Sequence, residues 1–463
     1  MGNPFTNDSS AVLEATSQHG RTAGLAHQPM ESRSVPNAPR DSSALERITD
    51  RPVITALFLG VASLLFFLAG IRTPTYTILD EGVYVPEARA FFHRTLFDAT
   101  TQMHNLARPP FGKMLLAICM KAAGDNPFGW RVGAAICGSL TLVAVYFWAL
   151  LLLHDRHIAI FAAVLTFFNN FLFVMSRVGM MDAFLVVFLL WSLVAYTGAI
   201  VLDVSAGSRR VLLGCSGVLI GLGGACKWNA IDTLAVLVLV SFALLWIARR
   251  SPADSVPSLS RYAKNMQQIG VPTLLLSLVI APIISYSLTF WPFCRILHRP
   301  FNLTELIAIH RYMWYLSTHW ATNRFLTSAW YKWPLTANPE RPLSYLLGNP
   351  VVTWGGIAAL VFCLRRFWKD VALPEGMVLL LYSANYFQWA VTPEKGLLYY
   401  YYYPAVMILG VAIAVTLRSL PRSIFGVRVS VLVLIAAATI FVWCYPRMTH
   451  LDPPWDCALG CWN

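Results

Sequence analysis

Two adjacent acids follow the first long apolar run of the chain, in the segment TYTILDEGVYV. Asp80 and Glu81 lie there within a turn or two of the predicted membrane exit. Partial burial near the lipid headgroups would raise a carboxylate's pKa toward the range of a useful general base. A solvated pair of loop acids explains the two residues equally well. We interpret Asp80 and Glu81 as candidate catalytic groups.

Two cations flank a pair of prolines in the segment ARPPFGKMLLAICM. Arg108 and Lys113 stand at the start of an apolar stretch that is too short to span a membrane, so we predict an interfacial helix. Cations at a helix N-terminus attract a phosphate. Contact with anionic lipid headgroups is equally expected. Both residues are candidates for binding a phosphate.

Two further cations occupy short turns between predicted spans. Arg177 precedes Asp182 by five residues, and Lys227 precedes Asp232 by five residues. Charges this close to hydrocarbon are costly, so they pair with a neighbour or serve a site. A salt bridge within each turn is slightly favoured for the two acids. For Arg177 and Lys227, phosphate binding is at least as well supported.

Aromatic residues are concentrated in a second long loop and at a later helix mouth. The loop contains Trp330 and Trp333, and the run YYYYYP ends with Tyr403 before a proline. A belt of rings at the membrane interface explains much of this, and it is the simplest account of the five tyrosines. Stacking of a sugar ring or an acceptor peptide explains it as well. Trp330, Trp333 and Tyr403 are therefore candidates for binding acceptor or sugar.

The sequence contains no Cys, His or carboxylate spacing typical of a metal site, and we expect no metal and no cofactor. Near the C-terminus, Cys457 and Cys461 are separated by three residues. A disulfide there and two free thiols are equally compatible with this spacing.

The elements that position these residues must be membrane helices. Of 463 residues, 57% are hydrophobic and 13% are charged, and the mean hydropathy is +0.57, which excludes an ordinary water-soluble enzyme. Apolar runs of about 17 to 25 residues predict spans. We predict an all-α integral membrane protein with eleven spans, at 52–71, 131–153, 158–175, 180–202, 211–226, 231–248, 271–292, 351–364, 375–391, 399–417 and 427–445.

The net charge of +12 comes from basic residues in the short gaps between apolar runs, so it orients the chain in a membrane and indicates no nucleic-acid partner. Thirteen Lys and Arg lie on one side and three, Arg177, Lys227 and Lys395, lie on the other. The N-terminus is therefore expected in the cytoplasm, and the outer loops 72–130 and 293–350 outside a plasma (inner) membrane.

The domain organisation is simple. Residues 1–50 are predicted to be a disordered tail without a cleavable signal peptide, 51–448 a polytopic membrane domain, and 449–463 a short outer tail. Secondary transporters usually have two related halves, and the two long loops here have no matching counterpart. This asymmetry favours an enzyme over a transporter.

The motifs together resemble the GT-C fold protein O-mannosyltransferases and their bacterial and archaeal relatives, which use polyprenyl-phosphate or dolichyl-phosphate sugars. The resemblance covers most of the chain after residue 50. It is carried by the acidic pair, PPFGK, PFGWR, the SR and KW turns, the WYKWP loop, an NP before the eighth span and a Tyr-Pro after the five tyrosines. The family usually has His where this chain has Arg108, and the MIR domain of eukaryotic members is missing from the second loop.

The resemblance implies an inverting transfer of a sugar, mannose in the family, to a Ser or Thr hydroxyl of an exported protein. Asp80 would be the catalytic base, with Glu81 beside it, and Arg108, Lys113, Arg177 or Lys227 would hold the lipid phosphate. The same chemistry on lipid A or another envelope glycan is one alternative. A transporter of lipid-linked sugar is another, and a noncatalytic scaffold ranks lowest because it leaves Asp80, Arg177 and Lys227 unexplained.

Overall fold

The structure is a computed structural model that describes residues 51–93, 108–250, 258–319, 328–335, 346, 348–392, 397–420, 423–424 and 427–449. The predicted tail 1–50 and almost all of 449–463, including Cys457 and Cys461, lie outside the described residues. Lys395 does so as well. The predicted tails and the cysteine alternatives therefore stay predictions.

The described residues are almost entirely helical, as the apolar runs predict. In chain order the helices are α1 (Pro52–Leu68), α2 (Glu81–His93), α3 (Phe111–Ala123), α4 (Pro127–Leu153), α5 (Arg156–Phe167), α6 (Asn170–Met175), α7 (Met181–Val201), α8 (Ala206–Cys226), α9 (Ala230–Ala248), α10 (Ser260–Ile269), α11 (Val271–Leu275), α12 (Ala281–Leu288), α13 (Phe290–Ile296), α14 (Leu303–His319), α15 (Pro350–Lys369), α16 (Leu373–Val391), α17 (Tyr403–Leu417) and α18 (Val429–Met448).

Three short helical elements and two strands complete the described part of the chain. Leu276–Ile280 is a π-helical turn between α11 and α12, and Trp330–Leu335 and Tyr399–Tyr402 are 3-10 helices. The strands β1 (Ser423–Ile424) and β2 (Val427–Arg428) pair antiparallel, with Ser423 opposite Arg428.

Each predicted span coincides with a helix or a run of helices. Among the described residues, eight segments are long and apolar enough to cross a membrane: α4, α7, α8, α9, Val271–Ile296, α15, Tyr399–Leu417 and α18. The other three predicted spans coincide with α1, α5 and α16. The all-α membrane architecture is confirmed, and the count of eleven spans stays a prediction.

The predicted span 158–175 is not one continuous helix, which corrects the sequence interpretation. α5 ends at Phe167, and Asn169 caps the start of α6 by accepting from the backbone N–H of Phe171 at 3.0 Å. The Phe168 carbonyl at the break accepts from the Asn349 side chain at 2.9 Å. A buried break is tolerated because this carboxamide satisfies the carbonyl that the helix leaves unpaired.

The loop between α1 and α2, which carries Asp80, is folded around one side chain from α4. Arg131 is completely buried, and its guanidinium donates to the carbonyl oxygens of Ile71 (3.1 Å), Pro74 (2.7 Å) and Tyr76 (3.0 Å). Its remaining two donors bind the Glu81 carboxylate in a bidentate pair, at 2.8 and 2.9 Å. All five N–H groups of the guanidinium are thereby used.

The Glu81 carboxylate likewise accepts several hydrogen bonds. Besides Arg131, its carboxylate accepts from the backbone N–H groups of Ile78 at 3.0 Å and Gly179 at 2.8 Å, and the side chain is completely buried. A carboxylate held by four hydrogen bonds in the core cannot reach a substrate. The expectation that Glu81 is catalytic is therefore corrected: it fixes the start of α2, directly after Asp80.

The Arg131–Glu81 pair provides a test of this positioning. Arg131→Met leaves a buried carboxylate uncompensated, which costs about 3 to 5 kcal/mol. Thermal unfolding in detergent should show a large fall in the midpoint for Arg131→Met. The matched control is Arg89→Met, which breaks the half-exposed pair with Asp125 and should cost at most about 1 kcal/mol. Equal midpoints for the two variants would contradict the positioning role.

Candidate active site

Asp80 directly precedes α2, and a tyrosine far along the chain contacts it. The hydroxyl of Tyr400 donates a hydrogen bond to Asp80 Oδ2. Burial raises the pKa of Asp80 above the ordinary carboxyl range, and the Tyr400 hydrogen bond and the charges of Lys227 and Arg108 partly offset that rise. Asp80 is thus an oriented carboxylate whose basicity exceeds that of an ordinary surface acid.

Lys227 ends α8 and is buried beside Asp80. Its Nζ binds Asp182 Oδ1 of α7 at 2.7 Å, and it lies 3.9 Å from the ring centroid of Tyr401 and 5.5 Å from that of Tyr400. The salt bridge joins two different turns, whereas we expected a pair within each turn. A buried ammonium held by one carboxylate and two aromatic faces is stabilised without extensive hydration.

Arg108 brings a second cation to the same place. Its Nη2 donates to the Tyr401 hydroxyl at 3.1 Å. Tyr401 therefore touches both cations, Arg108 through its hydroxyl and Lys227 through its ring. Two of the four cations expected to bind phosphate thus lie near Asp80. Positive charges placed together in this way stabilise negative charge that develops during a reaction.

A cavity of about 970 Å³ opens beside this cluster. Its walls are mainly apolar side chains from α8, α9, α12 and α14, and its polar lining includes Arg108 and residues of α16. Trp389 of α16 lines the cavity and stacks on Tyr401, with ring centroids 4.8 Å apart. An apolar cavity ending at cations suits an amphiphile with an anionic head.

Lys113, a further candidate for binding phosphate, is paired with an acid of the neighbouring helix, and its phosphate-binding role stays a prediction. It is buried and forms an ion pair with Glu87 of α2, with Nζ to Oε2 at 3.1 Å. Burial raises the pKa of Glu87 to about 7, although the charge of Lys113 opposes that rise. The pair ties α3 to α2, so Lys113 is assigned to holding these helices together.

Arg177 is also corrected. Its guanidinium donates to the carbonyl oxygens of Phe67 and Ala69 at the end of α1, and it lies 5.1 Å from the ring centroid of Phe173. Cations at a helix C-terminus satisfy unpaired carbonyls and complement the helix dipole. Arg177 therefore stabilises the end of α1 rather than facing the cavity.

The three aromatic candidates do not line the cavity. Trp333 and Tyr403 are completely buried, and Trp333 packs behind Trp389 with ring centroids 5.8 Å apart. Trp330 packs on Tyr386 at 5.4 Å. The expected contact with acceptor or sugar is corrected for Trp333 and Tyr403 because both are enclosed by protein.

Sequence reasoning missed three residues of the site. In the sequence Arg131 only begins the predicted span 131–153, and Tyr400 and Tyr401 are accounted for by an interfacial belt. All five tyrosines from 399 to 403 are in fact buried. The hint in the sequence was the density of hydroxyls beside a charged turn, because a belt needs only one or two rings per helix.

No group of three or more His, Cys, Asp or Glu side chains with the geometry of a metal site occurs among the residues that the structure describes. Metal independence stays a prediction.

Comparison with known proteins gives one matching family model and several similar proteins. Residues 120–298 match the family model described as dolichyl-phosphate-mannose-protein mannosyltransferase. A polyprenol-phosphate-mannose–protein mannosyltransferase of Corynebacterium glutamicum is 24% identical, over 75% of this chain and 79% of that protein. The protein of the same description from Mycolicibacterium smegmatis is 23% identical, over 86% of this chain and 89% of that protein.

Solved structures share the fold. The Saccharomyces cerevisiae protein O-mannosyltransferase Pmt1-Pmt2 complex bound to the sugar donor superimposes with a TM-score of 0.73 and 13% identity, covering 89% of this chain and 92% of that chain. ArnT from Cupriavidus metallidurans bound to undecaprenyl phosphate has a TM-score of 0.57 and 15% identity, covering 86% and 72%.

The resemblance predicted from the motifs is therefore confirmed. The family model matches part of the membrane domain, and the relatives align with most of the chain. The chain is a multi-pass membrane glycosyltransferase of the GT-C fold, similar over most of its length to the polyprenol-phosphate-mannose–protein mannosyltransferases.

Proposed function

We propose that the chain transfers mannose, with inversion, from a polyprenyl-phosphate carrier to a Ser or Thr hydroxyl of an exported protein. The observation that carries the proposal is Asp80, held by Tyr400 near the charges of Lys227 and Arg108, of which Arg108 also lines the apolar cavity. The relatives named for polyprenol-phosphate-mannose and protein acceptors support the choice of both substrates.

The reaction step follows from the placement of the charges. The acceptor hydroxyl loses its proton to an Asp80 carboxylate oxygen while its oxygen bonds to the anomeric carbon. The bond from that carbon to the phosphate oxygen breaks on the opposite face, and the phosphate keeps the electron pair. A phosphodiester with one negative charge becomes a phosphomonoester with two, so cations near the leaving oxygen stabilise the transition state more than the ground state.

Arg108 and Lys227 are the groups that meet this need. Tyr401 holds the Arg108 guanidinium through its hydroxyl, and Asp182 with the Tyr401 ring holds Lys227. Because both cations are held before the substrate arrives, little reorganisation is needed as charge develops. The apolar cavity receives the polyprenyl chain. Asp80, Arg108, Lys227 and their partners supply all the roles that the step requires, and we propose that it needs no metal ion.

The arrangement of the site constrains the identity of the acceptor less than that of the lipid-linked donor. Transfer to lipid A or another envelope glycan uses the same step with a different hydroxyl, whereas transport leaves the lipid-linked sugar intact. Release of free polyprenyl phosphate that depends on an added acceptor separates transfer from transport. A screen of Ser/Thr-rich peptides against glycolipid acceptors then identifies the acceptor class.

We further propose that the site faces the outside of the inner (plasma) membrane and that the N-terminus is cytoplasmic. The excess of Lys and Arg in the short loops of one side supports this orientation.

Asp80→Asn should lower the turnover number by about 10² to 10⁴-fold, because a positioned general base contributes this much. The measurement is transfer of labelled mannose from purified protein in lipid to a Ser/Thr-rich peptide, run in the presence of a chelator. Asp203→Asn, an exposed acid distant in sequence from the site residues, is the matched control and should keep full activity. Retained activity in Asp80→Asn removes Asp80 from the mechanism.

Tyr400→Phe should move the acid limb of the pH–rate profile to higher pH. The lost hydrogen bond favours the charged carboxylate, so its removal raises the Asp80 pKa further and leaves less base at a given pH. Tyr403→Phe is the control, because no described residue bonds to that buried hydroxyl. An unchanged or downward-shifted limb in Tyr400→Phe would disprove the proposed contact.

Arg108→Gln and Lys227→Met should each reduce the turnover number by about 10² to 10³-fold, the usual effect of losing one preorganised charge stabiliser. KM for the lipid-linked sugar should rise by a smaller factor. Lys121→Met, which removes an exposed cation of α3, should change neither constant. A rise in KM alone would assign the two cations to ground-state binding only.

Cysteine labelling of intact cells tests the orientation. Asp125→Cys precedes α4 on the side of Asp80, and Asp203→Cys follows α7 at its other end; both positions are exposed. An impermeant maleimide should label the first variant in intact cells and the second only after permeabilisation. The reverse pattern would invert the topology.

A further inference from the structure

One end of the cavity is built from two matching dipeptides. Trp228 and Asn229 lie in the turn between α8 and α9, and Gln388 and Trp389 lie near the end of α16; all four line the cavity. The Asn229 side-chain N–H donates to Gln388 Oε1 at 2.9 Å. Two carboxamides thus lie side by side, each next in sequence to an indole.

This end of the cavity has hydrogen-bonding capacity that the described residues do not use. Trp389 is 4% exposed, and no described residue accepts from its indole N–H. No described residue donates to Asn229 Oδ1, and Gln388 Nε2 uses one of its two hydrogens on the Asn385 carbonyl at 3.1 Å. Three donor hydrogens, one each on Asn229 Nδ2, Gln388 Nε2 and Trp389 Nε1, and one acceptor, Asn229 Oδ1, remain, and a buried donor without a partner is costly.

The chemistry of these groups selects among possible occupants. A polyprenyl chain has no polar atoms to offer, so it would leave the three groups unpaired. A phosphate is bound by cations. Arg108 and Arg311 line the cavity, and Lys227, next to Trp228 in the chain, contacts the same tyrosine, Tyr401, as Arg108. A sugar ring has hydroxyls that both donate and accept, and apolar C–H faces that pack on indoles.

We infer that Asn229, Gln388 and Trp389 form the binding site for the sugar ring of the lipid-linked substrate and determine which hexose is accepted. The inference rests on the proposed function, because the sugar of such a substrate is attached directly to the phosphate. A ring bonded to a phosphate at Arg108 and Lys227 must lie within a few ångströms of those cations, and the two dipeptides occupy that region.

Both indoles are fixed in place. Trp228 donates from Nε1 to the Tyr286 hydroxyl at 3.0 Å, and that hydroxyl is 2.7 Å from His310 Nε2. Trp389 packs between Tyr401 and Trp333. A site that is ordered before binding loses less entropy when a ligand enters, which is typical of specific sugar sites.

The test compares two ligands that differ only by the sugar. Binding of polyprenyl phosphate and of polyprenyl-phosphate-mannose is measured by native mass spectrometry for wild type, Asn229→Leu and Gln388→Leu. Each variant should lose about tenfold in affinity for the mannose-bearing lipid, the effect of one or two hydrogen bonds. The affinity for polyprenyl phosphate should change less than about twofold. Gln267→Leu, an exposed Gln of α10, is the matched control for the same chemical change.

Three outcomes overturn the inference. An equal loss of affinity for both lipids would assign Asn229 and Gln388 to binding the lipid or to the fold. A loss of affinity for polyprenyl phosphate alone, or unchanged affinity for both lipids, would also contradict it. Failure of the proposed function is distinguishable. In that case the wild type itself binds neither lipid, or binds the mannose-bearing lipid without releasing polyprenyl phosphate when acceptors are added.

Discussion

A single guanidinium organises the C-terminal end of α1 and the loop that follows it. Arg131 gathers three carbonyl oxygens and one carboxylate into the core, so the loop from Ile71 to Glu81 has one conformation in which all of its polar groups near the arginine are paired. Removal of any partner would leave a buried charge or carbonyl without compensation. Because Asp80 directly precedes Glu81, the position of the proposed catalytic base is determined by a structural ion pair.

The second constraint comes from the tyrosines before α17. In a chain segment more than 300 residues after Asp80, the Tyr400 hydroxyl donates to the acid, the Tyr401 hydroxyl contacts Arg108 and the Tyr401 ring contacts Lys227. Burial makes these interactions strong and also makes them interdependent, since in a low dielectric each charge depends on its partners for stabilisation. The buried acid–base pair of Glu87 and Lys113 lies in the same region and holds α2 and α3 together.

The fold class and the position of Asp80 could be predicted because both depend on local patterns: apolar runs long enough to span and an acid placed just after the first of them. The side chains that contact the site residues could not be predicted. Lys227 pairs with Asp182, 45 residues away, and Tyr400 meets Asp80 across 320 residues, so these contacts depend on how the helices pack. Arg177 and Lys227 look alike in sequence, each in a short turn before an acid. Packing separates them, because α1 presents bare carbonyls to one, and α7 and the tyrosines present a carboxylate and rings to the other.

Trp389 lines the cavity and stacks on Tyr401, and Tyr401 in turn contacts both cations. A ligand that displaces Trp389 also shifts the ring on which the Lys227 ammonium rests and the hydroxyl that holds Arg108. A poorly fitting group at this end of the cavity would thus be bound and yet leave the positive charges misplaced for the departing phosphate. Discrimination between substrates would then appear in the rate of bond breaking more than in occupancy, so an enzyme saturated with the wrong carrier would remain inactive.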